Sequence, residues 1–437
     1  MSRISVVSGG QLIDGAGQAP IDDSIVVIED RMIRAVGRKG EVKVPADAEV
    51  VDASGKTVMP GLMDAHTHPV RLPIVSTEKR YPFPVSASPV MALFGGACFF
   101  RSYLEFGITT IRILHPAIPT TPELRGEWLV AARTAVELGL IPGPRIVAAG
   151  VVLPTGGHLQ AMVPPRLMPP GWWGADGIPE VRKQTRLCML ENVDLIKILG
   201  ATGGGGMGLD SPKKQGYTLD EMKAIVEEAR FKGIPVSAHA HGGPGLDAAA
   251  DAFGKGDSIE HCTYLFQHEE AARKMGQRGI FMVPTWSSRV AGIEEEQDPE
   301  QRGAKLKILQ ETHVASLKTA LQMGVKIAAG TDVSRLSSSS VGLELKGYVK
   351  YGSVPPLEAI KWATKNAAEC LALANVGTIE EGKLADLLIV DGNPMRQIEV
   401  LEDKKNMDTV IKEGRVVARK GTLTWNQHST LAEFKEM

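Results

Sequence analysis

Apolar residues are spaced differently at the two ends of the chain and in its middle. Residues 24–37 contain two β-branched runs separated by a polar turn, which is typical of a β-hairpin. Near the other end, residues 408–412 and 415–418 flank a Glu-Gly turn in the same manner, and 385–390 is a further apolar run. We therefore predict β-structure at both ends, pairing into one small β-sandwich.

The middle of the chain alternates short apolar segments with helical patterns such as 219–229. Eight such βα units predict a distorted (β/α)₈ barrel of the TIM type, and a doubly wound sheet is the competing α/β fold, which strand count alone does not exclude. We predict the N-terminal part of the sandwich over 1–58, the catalytic barrel over 59–376, and the C-terminal part of the sandwich with a tail over 377–437. The predicted barrel strands are 58–64, 108–114, 144–150, 193–199, 234–238, 257–260, 279–284 and 325–329.

Composition narrows the class of protein. Of the 437 residues, 43% are hydrophobic and 23% are charged, as in an ordinary globular protein. The 49 basic and 51 acidic residues give a net charge of −2, which argues against nucleic acid and anionic membranes as partners. We see no targeting segment and no apolar run near the ~18 residues of a membrane span, so we expect a cytoplasmic protein. The cysteines lie far apart without a C-x-x-C pair, which predicts reduced thiols: Cys98, Cys188, Cys262 and Cys370.

Histidines gather at the carboxyl ends of predicted strands, where a barrel places its active site. His66 and His68 end the first strand two residues apart, so both imidazoles point to the same face and can bind one ion. The alternative is a pair of surface histidines in a loop. His239 and His241 repeat the pattern after the fifth strand, and His261 follows the sixth.

Lys197 lies inside the apolar fourth strand, although lysine is almost never buried without a partner. It could lie at a sheet edge with its amine extended to water. It could instead form a Schiff base, or take up CO₂ to become a carbamate that bridges two metal ions. The residue itself does not choose between these chemistries, but the nearby histidines favour metal.

Asp332 follows the eighth strand, where an aspartate can simply cap a helix. Its strand-end position matches that of the histidines and of Lys197, which favours a shared site. Imidazole and carboxylate together suit Zn²⁺, with Mn²⁺, Co²⁺ or Fe²⁺ as substitutes. Two such ions ~3.5–4 Å apart would bridge a water and lower its pKa toward ~7, and Asp332 would carry its proton to the leaving group.

Taken in order, these motifs resemble the amidohydrolase superfamily of metal-dependent hydrolases. The resemblance covers nearly the whole chain and implies a distorted (β/α)₈ barrel with a β-sandwich built from both chain ends. It also implies two divalent metal ions as cofactors. The matching segments are P-G-L-M-D-A-H-T-H at 60–68, Lys197, A-H-A-H-G at 238–242, I-E-H at 259–261, G-T-D at 330–332 and the closing stretch 377–394.

The resemblance also implies a role for each motif residue. Lys197, carboxylated by CO₂, would bridge to a second metal held by His239 and His261. His241 would face the substrate and polarise its scissile carbonyl. The ligands of the more buried metal would be His66, His68, Lys197 and Asp332.

Within that superfamily the chain resembles the prolidase-like and imidazolonepropionase-like branch, on the T-G-G-H at 155–158. Relatives use this histidine, here His158, near the substrate and often against its carboxylate. Leu159-Gln160 departs from the small or acidic residue that usually follows. The Pro/Trp-rich segment 163–173 is either an apolar lid or a rigid covering loop. The G-x-G-x-x-G at 203–208 lacks the helix that a dinucleotide site requires.

We therefore expect a hydrolase that cleaves an amide C–N bond with a metal-bridging hydroxide, with Asp332 and His241 as catalytic residues. The expected partner is a small-molecule amide that carries a carboxylate, such as a dipeptide or an N-acyl amino acid. Three alternatives stay open: an aryl-amide or urea hydrolase acting on a toxin or xenobiotic, a deaminase or cyclic-amide hydrolase, and a non-catalytic binding barrel. Because the family often assembles, the resemblance implies a homo-oligomer.

Overall fold

The computed structural model describes residues 3–69, 89–115, 127–154, 174–201, 215–333 and 341–424. The strands in these ranges are β1 (Ile4–Ser8), β2 (Gln11–Leu12), β3 (Ser24–Glu29), β4 (Met32–Arg38), β5 (Glu49–Asp52), β6 (Thr57–Pro60), β7 (Leu62–Thr67), β8 (Ile108–Ile113), β9 (Arg145–Val152), β10 (Leu195–Ile198), β11 (Val236–Ala240), β12 (Ser258–His261), β13 (Phe281–Val283), β14 (Lys326–Ile327), β15 (Leu387–Val390), β16 (Met407–Lys412), β17 (Arg415–Arg419) and β18 (Thr422–Leu423). The α-helices are α1 (Pro89–Glu105), α2 (Glu127–Glu137), α3 (Gly177–Leu190), α4 (Leu219–Lys232), α5 (Gly243–Ala252), α6 (Glu269–Arg278), α7 (Ser287–Glu294), α8 (Pro299–Leu309), α9 (Ala315–Gln322), α10 (Val341–Lys350), α11 (Pro356–Trp362) and α12 (Lys365–Cys370), and a π-helical turn, Gln310–Val314, joins α8 to α9.

The barrel is built from β7 to β14, which are parallel and hydrogen-bonded in sequence order. The chain beyond β14 bonds back to β7: Ala65 N donates to Ala329 O at 2.9 Å, and Asp332 N donates to His66 O at 2.8 Å. The sheet therefore closes on itself, whereas a doubly wound sheet stays open and changes strand order. The prediction of a (β/α)₈ barrel is confirmed.

The first predicted strand, 58–64, is in fact two strands. β6 belongs to a terminal sheet and β7 to the barrel, and Gly61 separates them. Gly61 N donates to Asp386 O at 2.9 Å, and a Cβ at this position would lie 2.3 Å from Thr109 Oγ1. Passage from one sheet to the other thus requires a residue without a side chain, which apolar periodicity does not reveal.

The two chain ends share a sheet, as the sequence predicts. In the order β18-β17-β16-β15-β6-β2, the C-terminal β15 runs antiparallel to the N-terminal β6, while a second sheet, β4-β3-β1-β5, is entirely N-terminal. Side chains of β15 alternate between two cores: Leu387 and Ile389 join the apolar cluster shared by the terminal sheets, whereas Leu388 and Val390 join that of the barrel. The six-stranded sheet is therefore the layer that joins the barrel to the other sheet.

Local signals define the ends of elements, as α4 shows. Thr218 accepts a hydrogen bond from Glu221 N, while the Glu221 carboxylate accepts from Thr218 N, which is a capping box. Gly233 ends the helix in the left-handed conformation, with φ of 72°. Of the helices that the structure describes, none has the length and apolarity needed to cross a membrane.

Candidate metal centre

The first cluster joins the end of β7 to the chain beyond β14. His66 and His68 are buried, whereas the Asp332 side chain is 39% exposed. His68 Nε2 lies 3.1 Å from Asp332 Oδ1, and His66 Nε2 lies 3.6 Å from the same oxygen. Two imidazole nitrogens and a carboxylate oxygen, all within 4.8 Å of one another, form a donor set that can hold a divalent cation.

A buried carboxylate orients His66. Glu260 Oε2 lies 2.7 Å from His66 Nδ1, and Oε1 accepts hydrogen bonds from Arg112, Ser237 and Ser258. Burial would raise the pKa of Glu260, but the Arg112 guanidinium beside it holds that pKa well below its usual range. Burial lowers the pKa of His66 to about 4. His66 is therefore neutral at pH 7, donates from Nδ1 and presents the Nε2 lone pair to the cluster.

The second cluster lies at the ends of β11 and β12. His261 Nε2 is 2.9 Å from His239 Nδ1, and the His241 ring stacks on that of His261 with centroids 4.6 Å apart. Threonine hydroxyls hold the outer nitrogens: Thr285 Oγ1 is 2.7 Å from His261 Nδ1, and Thr263 Oγ1 is 2.8 Å from His241 Nδ1. Burial and the adjacent imidazoles lower the pKa of His261 well below its ordinary value, so this ring is neutral too.

Lys197, on β10, lies close to both clusters. It is 1% exposed, and among the residues that the structure describes no group is within hydrogen-bonding distance of its Nζ. Burial lowers the pKa of Lys197 to about 8, and its charge in turn contributes to lowering the pKa of His66 and of His261. The rings of those two histidines are 5.0 Å apart. The two clusters thus form one continuous site, and it contains a buried amine that has no hydrogen-bond partner in the described ranges.

Backbone strain accumulates at this end of the barrel. His261, Thr285 and Asp332 have positive φ values of 70°, 58° and 55°. Few residues other than glycine adopt this left-handed conformation, and for a β-branched residue such as Thr285 it is an outlier. Conformations of this kind persist only where surrounding contacts enforce them, and they cluster at functional sites.

Most predicted site residues come together here. The structure places seven of them around one end of the barrel: His66, His68, Lys197, His239, His241, His261 and Asp332. The eighth, His158, lies outside the described residues, as do the Pro/Trp-rich segment 163–173 and the glycine run 203–208.

Three supporting residues were given no role by the sequence, although two of them lie inside the quoted motifs: Arg112, Glu260 and Asp64. Asp64 is fully buried and accepts hydrogen bonds from Thr331 N, Thr331 Oγ1 and His66 N, so it ties the two strand ends of the first cluster together. Burial raises the pKa of Asp64 to about 7. Each of the three is a charged residue within an apolar strand, which is the same signal that singled out Lys197.

Comparison with known proteins identifies the family to which the chain is similar. The chain matches the profile of the amidohydrolase family over residues 57–417. Ochratoxinase from Aspergillus niger is 30% identical over 456 aligned positions, which cover 98% of this chain and 89% of that enzyme. Imidazolonepropionase from Geobacillus sp. (strain WCH70) is 26% identical, with 93% of this chain and 92% of that enzyme covered.

Solved structures agree with the sequence comparison. The crystal structure of A. niger ochratoxinase superposes with a TM-score of 0.80 at 29% identity and covers 96% of both chains. A Xaa-Pro dipeptidase with methionine bound in its active site gives a TM-score of 0.79 at 29% identity, covering 94% of this chain and 99% of that one. The chain therefore belongs to the amidohydrolase family and is a hydrolase that acts on carbon–nitrogen bonds.

Proposed function

We propose that the chain is a binuclear metal-dependent amidase that splits a carboxylate-bearing amide, releasing an amino acid or a similar amine from its acyl group. The observation that carries the proposal is the pair of donor clusters beside the buried Lys197 Nζ, which has no partner among the described residues. A barrel that only binds a ligand has no need for such a costly arrangement of polar groups in its interior.

The donor set fits two divalent cations. The first cluster, at His66, would hold one, and His239 with His261 would hold the other. Imidazole nitrogens together with the Asp332 carboxylate favour Zn²⁺, with Mn²⁺, Co²⁺ or Fe²⁺ as substitutes. When bound, the two cations supply Lewis acidity and lower the pKa of a water toward ~7.

Lys197 would contribute as a carbamate. Its neutral amine can attack CO₂, forming an N–C bond and releasing one proton, and the pKa lowered to about 8 makes that neutral form accessible near physiological pH. The carbamate replaces a buried cation by an anion between two cation sites. This accounts for a lysine that is buried without a counter-group at hydrogen-bonding distance in the described part of the chain.

Asp332 and His241 would perform the proton chemistry. Asp332 is the exposed member of the first cluster, so its carboxylate can take a proton from the attacking water and deliver it to the leaving nitrogen. His241 is half-buried, and a hydrogen bond donated by Thr263 Oγ1 to its Nδ1 would place the ring proton on Nε2, which would donate to the scissile carbonyl oxygen.

The similar proteins support the substrate class. One is named for ochratoxin and another for Xaa-Pro dipeptides. An aryl amide or urea is the nearest alternative substrate, and the predicted contact between His158 and the substrate carboxylate is part of the same proposal. The imidazolonepropionase match keeps cyclic-amide opening as an outcome of the test.

The test combines metal analysis with a substrate panel on the same protein. Chelator-treated enzyme is reloaded with Zn²⁺ or Mn²⁺ in the presence of bicarbonate and assayed on Xaa-Pro dipeptides, N-acyl amino acids, ochratoxin, aryl amides and imidazolone propionate. We expect two cations per chain and hydrolysis of amides that bear a carboxylate. Absence of bound metal together with no hydrolysis of any amide would refute the proposal.

Lys197→Ala is the matching variant. It should lose most activity and recover part of it when small carboxylic acids are added, because they replace the carbamate. Lys412→Ala, which removes a lysine of β16 in the six-stranded terminal sheet and leaves the barrel strands intact, is the control and should keep wild-type activity. Full activity in Lys197→Ala without added acid would remove the carbamate from the mechanism.

We further propose that the enzyme acts in the cytoplasm as a homo-oligomer on a small-molecule amide, without nucleic acid or membrane. The near-neutral charge supports a substrate other than nucleic acid or membrane, the four free cysteines support the cytoplasm, and the oligomer rests on the family resemblance. Light scattering coupled to size-exclusion chromatography measures the assembly directly.

A further inference from the structure

A buried carboxylate lies behind the second histidine cluster and has no part in the proposed chemistry. Glu344, on α10, has no exposed surface. Its Oε1 accepts from Trp286 N at 2.7 Å and from Tyr348 Oη at 2.6 Å, and its Oε2 accepts from Ser287 N and Ser287 Oγ, both at 2.6 Å. Four donors from two segments therefore converge on a single side chain.

These bonds hold the turn that follows β13. Thr285 immediately precedes Trp286 and Ser287, the two residues whose N–H groups donate to Glu344. It has the left-handed φ of 58° that a β-branched residue seldom adopts. Its Oγ1 lies 2.7 Å from His261 Nδ1. If the turn relaxed to an ordinary backbone conformation, this hydroxyl would move away from the imidazole.

We propose that Glu344 is a positioning residue for the second cation site. By accepting hydrogen bonds from the N–H groups of Trp286 and Ser287 it fixes the position of Thr285, and the Thr285 hydroxyl in turn fixes the direction of the His261 ring. This inference rests on the proposed function, because it assigns a cation to His261. An apolar side chain at position 344 would anchor α10 without the free-energy penalty of desolvating a carboxylate. A fully hydrogen-bonded carboxylate instead fixes the geometry of the turn at Trp286 and Ser287, which explains a glutamate at this position.

The experiment measures cation binding rather than activity alone. Glu344→Gln keeps the size of the side chain but offers one acceptor oxygen where four donors converge. The expected result is a Kd for the second equivalent of Co²⁺ that rises about 10- to 100-fold, the usual effect of losing an outer-shell partner of a metal ligand. The first equivalent should bind as in the wild type, and the visible absorption of the second Co²⁺ should change.

Substitutions at Thr285 test the route. Thr285→Val keeps the β-branch but removes the hydroxyl, so it should weaken the second site by a similar factor, and Thr285→Ser should restore it. Both residues act through one hydrogen bond. The double variant Glu344→Gln/Thr285→Val should therefore bind the second Co²⁺ with a Kd no higher than that of the single variant that binds it less tightly. A double effect equal to the product of the two single effects would overturn the route.

A matched control comes from a second buried carboxylate. Glu228, on α4, is 1% exposed and accepts hydrogen bonds from Arg182 and Arg186, which do not lead to the histidines. Glu228→Gln should therefore leave both Co²⁺ equivalents and the spectrum unchanged. If Glu344→Gln does not fold, Thr285→Val and Tyr348→Phe, which removes one of the four donors, carry the same test.

The outcomes separate the two proposals. If the wild type binds two cations and the Glu344→Gln variant binds the second one equally well, this inference fails and the proposed function stands. If the wild type binds only one cation, both fail. Restoration by Thr285→Ser, together with a second site that is weakened in both Thr285→Val and Glu344→Gln, supports the role assigned to Glu344.

Discussion

The pair formed by Arg112 and Glu260 should show strong energetic coupling in the barrel interior. Both side chains are at most 2% exposed, and Arg112 Nη2 donates to Glu260 Oε1 at 2.8 Å. Arg112→Met leaves the Glu260 charge buried without its ion-pair partner, and Glu260→Gln leaves the Arg112 charge in the same state. Each change should lower the free energy of unfolding by about 3–5 kcal/mol. With an unfolding entropy of ~2.1 cal/mol/K per residue, 437 residues give ~0.9 kcal/mol/K, so the Tm should fall by about 3–6 °C.

The double variant contains neither buried charge and should lose much less than the sum of the single losses, with a coupling of up to about 3 kcal/mol. Differential scanning calorimetry of metal-free protein measures all four members of the cycle. The control cycle is Arg186→Met with Glu228→Gln, whose arginine side chain is 64% exposed, and its coupling should stay below about 1 kcal/mol. Additive Tm shifts in the Arg112–Glu260 cycle would refute the reasoning.

Three further predictions concern single residues. In metal-free protein, Lys197→Met should raise the free energy of unfolding by about 3 kcal/mol at pH 7, because the folded-state pKa of Lys197, about 8, lies below the unfolded value of ~10.4. Wild-type stability should rise between those two pH values, so the difference in stability between wild type and variant should close there. Equal urea midpoints of the two proteins at pH 7 would contradict this. Gly330→Ala would place a Cβ 2.8 Å from His66 Cβ, so metal binding measured by titration should weaken at least tenfold. Gly303→Ala, on a helix with open space around that position, is the control and should bind metal as the wild type does. Equal affinities in the two variants would count against the steric argument. Arg145→Met removes the ion pairs to Asp386 and Glu413 of the C-terminal segment, so the free energy of unfolding measured by thermal unfolding should fall by about 2 kcal/mol. The kcat/KM at low temperature should stay as in the wild type, and a changed value would show that those pairs also shape the site.

Local pattern predicted the α/β alternation and the candidate ligands, and the ligand positions favoured a barrel over a doubly wound sheet. Apolar runs separated by helical periodicity overlap all eight barrel strands, although the first run joins β7 to β6 of the terminal sheet, because each barrel strand must bury side chains on both of its faces. The ligand candidates followed since parallel strands end at one rim, so polar residues such as His66, Lys197 and Asp332 at successive strand ends must converge. These features depend on neighbours in sequence, which is why the chain alone determined them.

Partnerships between distant residues were decided only by the closed barrel. His66 and Glu260 are 194 positions apart, and no periodicity links them; only ring closure brings β7 close enough to β12 for that hydrogen bond. The split of the first strand at Gly61 and the positive φ of Thr285 are likewise set by contacts with other segments. Sequence determines which side chains face the centre of the barrel, but the tertiary packing determines which nitrogen each histidine presents, because that depends on the hydrogen-bond partner of its other nitrogen.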